Sequence, residues 1–295
     1  MKNKKSILYA LSAVVLWSTV ATAFKLSLRG MSPYQLLFFA SLTSVVVLSP
    51  IAYKTDKKSF FEQFKGKNIF HNLLFGFLNP FLYYTVLFKA YDLLPAQEAQ
   101  PLNYTWPIVI SIFSVLFLKE KFSLKTFSGL IISFAGIVVI ATRGNFAHLH
   151  FHNLLGTLLA LFSAVIWGAF WILKIKDERK DAIKLFASFF YGTIFSFLFL
   201  LAINQLKIPE TEFLLGAVYV GLFEMGITFF LWMKGLSYSA DRTKTSTLAY
   251  FSPFISLLFI ALILGEKIRL SSIIGLLLIV GGILIQNLKS GKNYS

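Results

Sequence analysis

The residue of this 295-residue chain best able to do chemistry is Glu224, set in Phe223-Glu224-Met225-Gly226 at the centre of a long apolar stretch. If that stretch crosses a bilayer, a carboxylate at its centre costs about 2.5 to 3.5 kcal/mol, so it must face other helices or a wet cavity. Three readings stay open. Glu224 binds the amino group of a solute, carries a coupling proton, or sits protonated and hydrogen-bonded to a neighbouring helix. A second polar residue, Asn79 in Leu78-Asn79-Pro80, occupies a similarly central place in an earlier apolar stretch. Asn103 and Tyr104 precede Pro107 by one turn, and Tyr250 and Ser252 flank the corresponding turn before Pro253. Each proline lacks an N–H, which frees the carbonyls of Asn103 and Ala249 for water or a solute. A packed kink that touches no ligand is the alternative. Trp17 and Ser18, next to Thr19, and Trp167 complete the candidate walls, because indole and phenol rings pair an apolar face with a polar tip. The bland account of both tryptophans is helix packing.

Other chemistries find little support. The chain has no cysteine, which excludes disulfides, metal thiolates and thiol catalysis. No H-E-x-x-H, P-loop or G-x-S-x-G pattern occurs, so no enzyme and no cofactor are expected. A membrane-embedded enzyme using Glu224 with Tyr104 or Tyr250 as acid and base is the weaker alternative. His148, His150 and His152 alternate in one loop and could bind zinc, but no carboxylate or thiol stands near them. A solvated linker is the reading preferred, and no metal is expected.

The elements that must position these residues are membrane helices. Hydrophobic residues make up 57% of the chain and charged residues 14%, far below the roughly 25% of an ordinary soluble domain. Apolar runs long enough to cross a ~30 Å hydrocarbon layer recur along the whole length. They predict ten transmembrane helices over 6–24, 34–53, 69–90, 95–118, 123–142, 153–173, 182–204, 212–236, 242–264 and 271–288. Lys2, Lys4 and Lys5 before an apolar run ending at Ala21-Thr22-Ala23 imitate a cleavable leader. The run is read as a retained first helix, since its polar segment has a counterpart in the second half.

The formal charge of +15 is a topology signal. With both termini in the cytoplasm, 21 of the 28 Lys and Arg residues fall in inside segments and 7 outside. That bias is the positive-inside rule, and it removes the ground for nucleic acid as a partner. Glu98, Lys89, Lys234, Arg242 and Lys244 lie at helix ends and read as interfacial anchors, with Glu98 also a candidate gate.

Sliding the sequence on itself by about 146 residues aligns Glu120-Lys121 with Glu266-Lys267, Tyr104 with Tyr250 and Pro107 with Pro253. The same shift aligns Gly129 with Gly275 and Gly136 with Gly282. Nearby shifts bring Gly76 onto Gly221, Asn79 onto Glu224 and Trp17 onto Trp167. The chain therefore divides into two five-helix units, 1–147 and 148–295. An odd number of crossings per unit makes the second enter the membrane in the opposite sense. The expected fold is all-α and integral to the membrane, with two inverted five-helix repeats. Inverted repeats are typical of secondary transporters, whose solute site lies at the midplane between the halves. Rocking of the two four-helix cores is expected, with helices 5 and 10 as struts whose glycines allow close backbone approach.

Two five-helix repeats, each with a proline in its fourth helix, an acidic turn and a Gly-rich fifth helix, resemble the drug/metabolite transporter superfamily, in its EamA-like branch. Leu16-Trp17-Ser18-Thr19, Asn103-Tyr104-Thr105-Trp106-Pro107 and Tyr250-Phe251-Ser252-Pro253 are similar to stretches of the aromatic amino-acid exporters of that superfamily. The resemblance covers nearly the whole chain. It implies a multi-pass exporter of the bacterial inner membrane that moves amino acids or related metabolites through a central cavity without ATP. Small-molecule substrate and lipid bilayer are its partners, with protons a candidate coupling ion. Glu224 and Asn79-Pro80 depart from the exporter pattern, and they keep open a multidrug or organic-cation exporter.

Overall fold

In a computed structural model the described residues are 2–119, 123–145, 153–174, 177–239, 245 and 247–287. Glu120-Lys121, the three loop histidines, Arg242 and Lys244 lie outside them, as does the boundary between 147 and 148. All regular structure among the described residues is helical. The first half holds α1 (Lys2–Ser27), α2 (Pro33–Thr55), the short α3 (Lys57–Glu62), α4 (Lys67–Gly76), α5 (Tyr83–Leu93), α6 (Ala96–Asn103), α7 (Trp106–Leu118) and α8 (Leu124–Ala141). The second holds α9 (Leu154–Lys174), α10 (Asp181–Ala202), α11 (Thr211–Val220), α12 (Ile227–Tyr238), α13 (Ser252–Leu264) and α14 (Leu270–Asn287).

Eight helices among the described residues are long and apolar enough to cross a bilayer, and Leu270–Gln286 is a shorter apolar helix. Leu8, Phe70, Leu124 and Leu262 are all more than 60% exposed, an outward apolar surface that suits hydrocarbon and not water. Polar residues, by contrast, are drawn inward: Ser18, Ser41, Ser163 and Ser252 are fully buried.

The expected span 95–118 is divided. α6 ends at Asn103, α7 starts at Trp106, and Tyr104 and Thr105 form the joint. Pro107 thus stands in the first turn of a new helix, where a missing N–H costs nothing, and not at the kink of a continuous one. Pro253 occupies the same place at the start of α13, after a 3-10 turn over Thr247–Phe251. Matching interruptions split the third and eighth spans. Between α4 and α5, Asn79 leaves helical geometry (φ −148°, ψ 117°), as a residue before proline tends to. Between α11 and α12 the helix widens over Gly221–Gly226, a stretch that contains Glu224, and leaves regular geometry at Gly226 (φ −110°, ψ −95°).

The packing pattern is unchanged when the halves are exchanged. α1 packs on α12 and α13 of the other half, and α9 packs on α5 and α7. α2 pairs with α10, and each of them covers the interruption of the opposite half. α8 pairs with α14 in a crosswise register. A Cβ placed on Gly129 would stand 2.5 Å from the carbonyl oxygen of Gly282, and one on Gly136 would stand 2.6 Å from that of Gly275. Gly129 is the repeat equivalent of Gly275, and Gly136 of Gly282. Equivalent glycines would meet in a parallel pair, whereas here the first meets the equivalent of the second. The two helices therefore run antiparallel, which is direct geometric evidence that the repeats are inverted.

Candidate functional site

The interrupted helices converge on a cavity of about 630 Å³ where the two halves meet. Of the residues singled out above, Trp17, Asn103, Tyr104, Pro107, Trp167, Glu224 and Tyr250 line it. Four do not. Ser18 and Ser252 are fully buried behind the wall with their hydroxyls 3.3 Å apart, and the Ser18 hydroxyl also donates to the Val14 carbonyl at 2.6 Å. Pro253 is buried beside them in α13. Asn79 is 2% exposed, and its Oδ1 has no hydrogen-bond partner among the described residues.

Glu224 is brought to the wall by the break between α11 and α12, and its Oε1 accepts a hydrogen bond of 3.0 Å from the Tyr84 hydroxyl. Tyr84 itself is fully buried in α5, so the contact joins the broken spans of opposite halves. Its neighbour Tyr83 donates to Asn103 Oδ1 at 3.3 Å, and Asn103 Nδ2 donates to the Ser163 hydroxyl at 2.8 Å. Ser163 passes the chain on to the Ala160 carbonyl at 2.6 Å. This relay fixes the Asn103 amide at the cavity wall, beside the α6–α7 joint. Two polar atoms of the lining residues, Gln100 Oε1 and Gln286 Nε2, have no hydrogen-bond partner among the described residues. Buried atoms of this kind are where a polar solute gains most.

Aromatic rings supply the remaining surface. Trp106, Trp171, Trp232, Tyr83 and Phe229 join the wall without having been anticipated from sequence. Trp106 adjoins Pro107, which was a usable signal. Trp171 follows Trp167 by one helical turn, which was another. Nothing local pointed to Tyr83 or Tyr84.

One end of the cavity reaches the helix ends at Thr126, Trp171, Thr247 and Gln286. The opposite ends of the helices are tied together. Glu98, with 5% of its side chain exposed, receives Arg143 Nε at 2.8 Å and also pairs with Arg269 Nη1. Glu266 Oε1 accepts the Ala96 N–H at 2.9 Å, and its Oε2 accepts from Gln97, so the acid caps the start of α6 from the other half. Lys25 donates to the carbonyls of Tyr91 at 2.7 Å and Leu94 at 3.1 Å. Read in sequence, Glu266-Lys267 is a turn charge; in the structure Glu266 is an inter-half cap.

A second knot joins the α9–α10 loop to the end of α3 and to α4. Arg179 clasps both oxygens of Asp177, at 2.9 and 2.7 Å, and reaches Asn72 Oδ1 at 2.7 Å and Gln63 Oε1. Burial pushes the Asp177 carboxyl up, but the Arg179 hydrogen bonds and charge outweigh it and hold the group at about 2. Among the described residues no group of three His, Asp or Glu is placed to hold a metal ion.

Residues 4–142 and 154–288 each match the EamA-like transporter family. The chain is 28% identical over 222 residues to an uncharacterized transporter, YvbV, of Bacillus subtilis (strain 168), covering 74% of this chain and 72% of that protein. It is 23% identical to the aromatic amino acid exporter YddG of Escherichia coli (strain K12), with 97% of both chains covered. A solved crystal structure superposes with a TM-score of 0.66 at 22% identity over 97% of each chain, which establishes likeness of fold.

Proposed function

Because the chain belongs to the EamA-like transporter family, we propose that it is a secondary carrier exporting amino acids or related amine-bearing metabolites by alternating access through the cavity between its halves. One observation carries the reading: a chamber of about 630 Å³ at the junction of two inverted repeats, walled by aromatic rings and hydrogen-bonding groups and containing a carboxylate. A volume of that size suits one small organic solute. The name of the Escherichia coli relative is consistent with a solute of this class.

In this reading the units 1–147 and 148–295 rock about the axis that exchanges them, with ten crossings in all and both termini in the cytoplasm of a bacterial inner membrane. Glu224 meets the amino group, or carries a coupling proton on the empty return. Asn103, Tyr104 and Tyr250 orient the polar end of the solute, while Trp17 and Trp167 cover its body. The state described faces the cytoplasm. Its cavity leads to the helix ends bearing the inside loops, and the Glu98–Arg143–Arg269 cluster closes the far side. Asn79, Ser18, Ser252 and Pro253 act from behind the wall, setting the breaks that open it.

The test is counterflow in proteoliposomes containing the purified protein, with a panel of labelled amino acids and amines. Saturable exchange of at least one panel member is expected. A folded protein that exchanges none of them would refute the reading.

A further inference from the structure

All five tryptophans of the chain line this one cavity. In a membrane protein indoles ordinarily collect at the two interfaces, so their convergence at the junction of the halves points to a task there. Four of them, Trp17, Trp232, Trp167 and Trp171, form a continuous strip with Phe229, Tyr83 and Tyr84. Trp17 stands 5.3 Å from Trp232 and 5.4 Å from Phe229, which in turn is 6.1 Å from Trp167. Trp167 lies 6.0 Å from Trp171 and 4.6 Å from Tyr83, and Tyr83 is 4.6 Å from Tyr84, the hydrogen-bond donor to Glu224. The strip therefore ends at the carboxylate.

Charge in the chamber is one-sided. Among the described residues lining it, Glu224 is the only carboxylic acid, and there is no Lys, Arg or His. Tyr84 is its only hydrogen-bond partner among the described residues, which leaves Oε2 without one. Gln100 adds a second acceptor without a partner among the described residues, Oε1. The faces of indole and phenol rings carry negative potential and attract a cation, tryptophan most strongly. An anionic solute would meet the Glu224 carboxylate with only neutral donors to hold it. A zwitterion would gain at one end and lose at the other.

We propose that the solute carries a net positive charge: an organic ammonium ion with a flat aromatic body, its nitrogen at Glu224 and its ring against the tryptophan strip. This deepens the carrier reading and rests on the cavity being the solute site. It selects, among amine-bearing metabolites, those whose carboxylate is absent or masked.

The convergence of the tryptophans supplies the readout, since a bound solute perturbs fluorescence excited at ~295 nm. Four ligands with matched ring and near-matched chain separate charge from shape: phenethylamine, phenylalanine, 3-phenylpropionate and 3-phenylpropanol. Phenethylamine is expected to bind at least about tenfold tighter than phenylalanine or 3-phenylpropionate, a difference of about 1.4 kcal/mol. Glu224→Gln is expected to erase that preference, and its circular dichroism and thermal unfolding alongside the parent show that the variant is folded. Equal or tighter binding of the zwitterion or the anion, or a preference that survives Glu224→Gln, overturns the assignment of charge and leaves the cavity as the solute site. No response to any of the four ligands overturns both.

Discussion

The hydroxyl of Tyr84 donates to Glu224 Oε1 across 3.0 Å, joining two residues 140 positions apart in opposite halves of the chain. It is a direct link between the third and eighth spans, and it fixes one oxygen of a carboxylate that lines the chamber. Any movement of one half against the other must carry the pair along or part it.

Tyr84→Phe removes that donor and keeps the ring that packs on Phe88 at 5.2 Å. A hydrogen bond of this kind contributes about 0.5 to 1.5 kcal/mol net. The solute KM in counterflow is expected to change roughly two- to tenfold, with the protein still folded and monodisperse. An unchanged KM and unchanged maximal rate would mean that the bond does not position Glu224.

At the α8–α14 seam, Gly136 has no room for a larger side chain, since even a Cβ would press on the Gly275 carbonyl at 2.6 Å. Gly281 in the same pair of helices has nothing within 4 Å. Gly136→Val is expected to lower stability in detergent by about 1 to 3 kcal/mol through overpacking. Gly281→Ala should be neutral or slightly stabilising, because alanine is the better helix former. Thermal unfolding of the two variants side by side checks the contrast, and equal midpoints would show that the seam tolerates widening.

The Glu98 cluster is expected to hold the far end of the cavity shut. Glu98→Gln leaves Arg143 and Arg269 without their shared acid, a loss that weighs more heavily for a buried pair than for one in water. If the closed and open forms differ by only a few kcal/mol, removing about 1 to 2 kcal/mol shifts their ratio roughly five- to thirtyfold. A cysteine at Gln100 should then react faster with a membrane-impermeant thiol reagent applied from the outside. Identical labelling in the two backgrounds would count against a gate.

The Asp177 knot has a defined pH range. Its carboxyl is held at about 2, below the unfolded value near 4, so its contribution is present in full above the unfolded value. That contribution fades as pH falls from about 4 through about 2, when the proton displaces Arg179. Hydrogen exchange in 56–66 and 177–180 is expected to rise over that interval in the parent protein and to be already raised at neutral pH in Asp177→Asn. A flat profile in the parent would remove the knot from the account of loop order.

Much of the architecture was legible from local pattern. Apolar runs placed the helices because each must match a bilayer thickness by itself, and self-similarity at about 146 residues, together with the odd number of crossings expected per unit, pointed to the inversion. Glu224, Asn103, Tyr104, Tyr250, Trp17 and Trp167 could be singled out because a polar or indole side chain inside an apolar run is conspicuous wherever the helix later points. The division of 95–118 was less visible. Proline at 107 was read as a kink, whereas the chain breaks two residues earlier and uses the proline to begin again.

What tertiary structure alone decided was which side chains meet. The sequence holds five tryptophans, but nothing in their spacing says that all of them turn toward one chamber, or that Tyr84 and not another phenol reaches Glu224. Nor does it say that Glu266 caps α6 of the other half. Those outcomes depend on the rotation and tilt of each helix about its neighbours. The rotation of α8 against α14 is set by glycines letting backbones touch crosswise, and such contacts join residues on the order of 150 positions apart. Hydropathy is a property of one segment and is written in that segment. Convergence is a property of many segments at once, and only their packing fixes it.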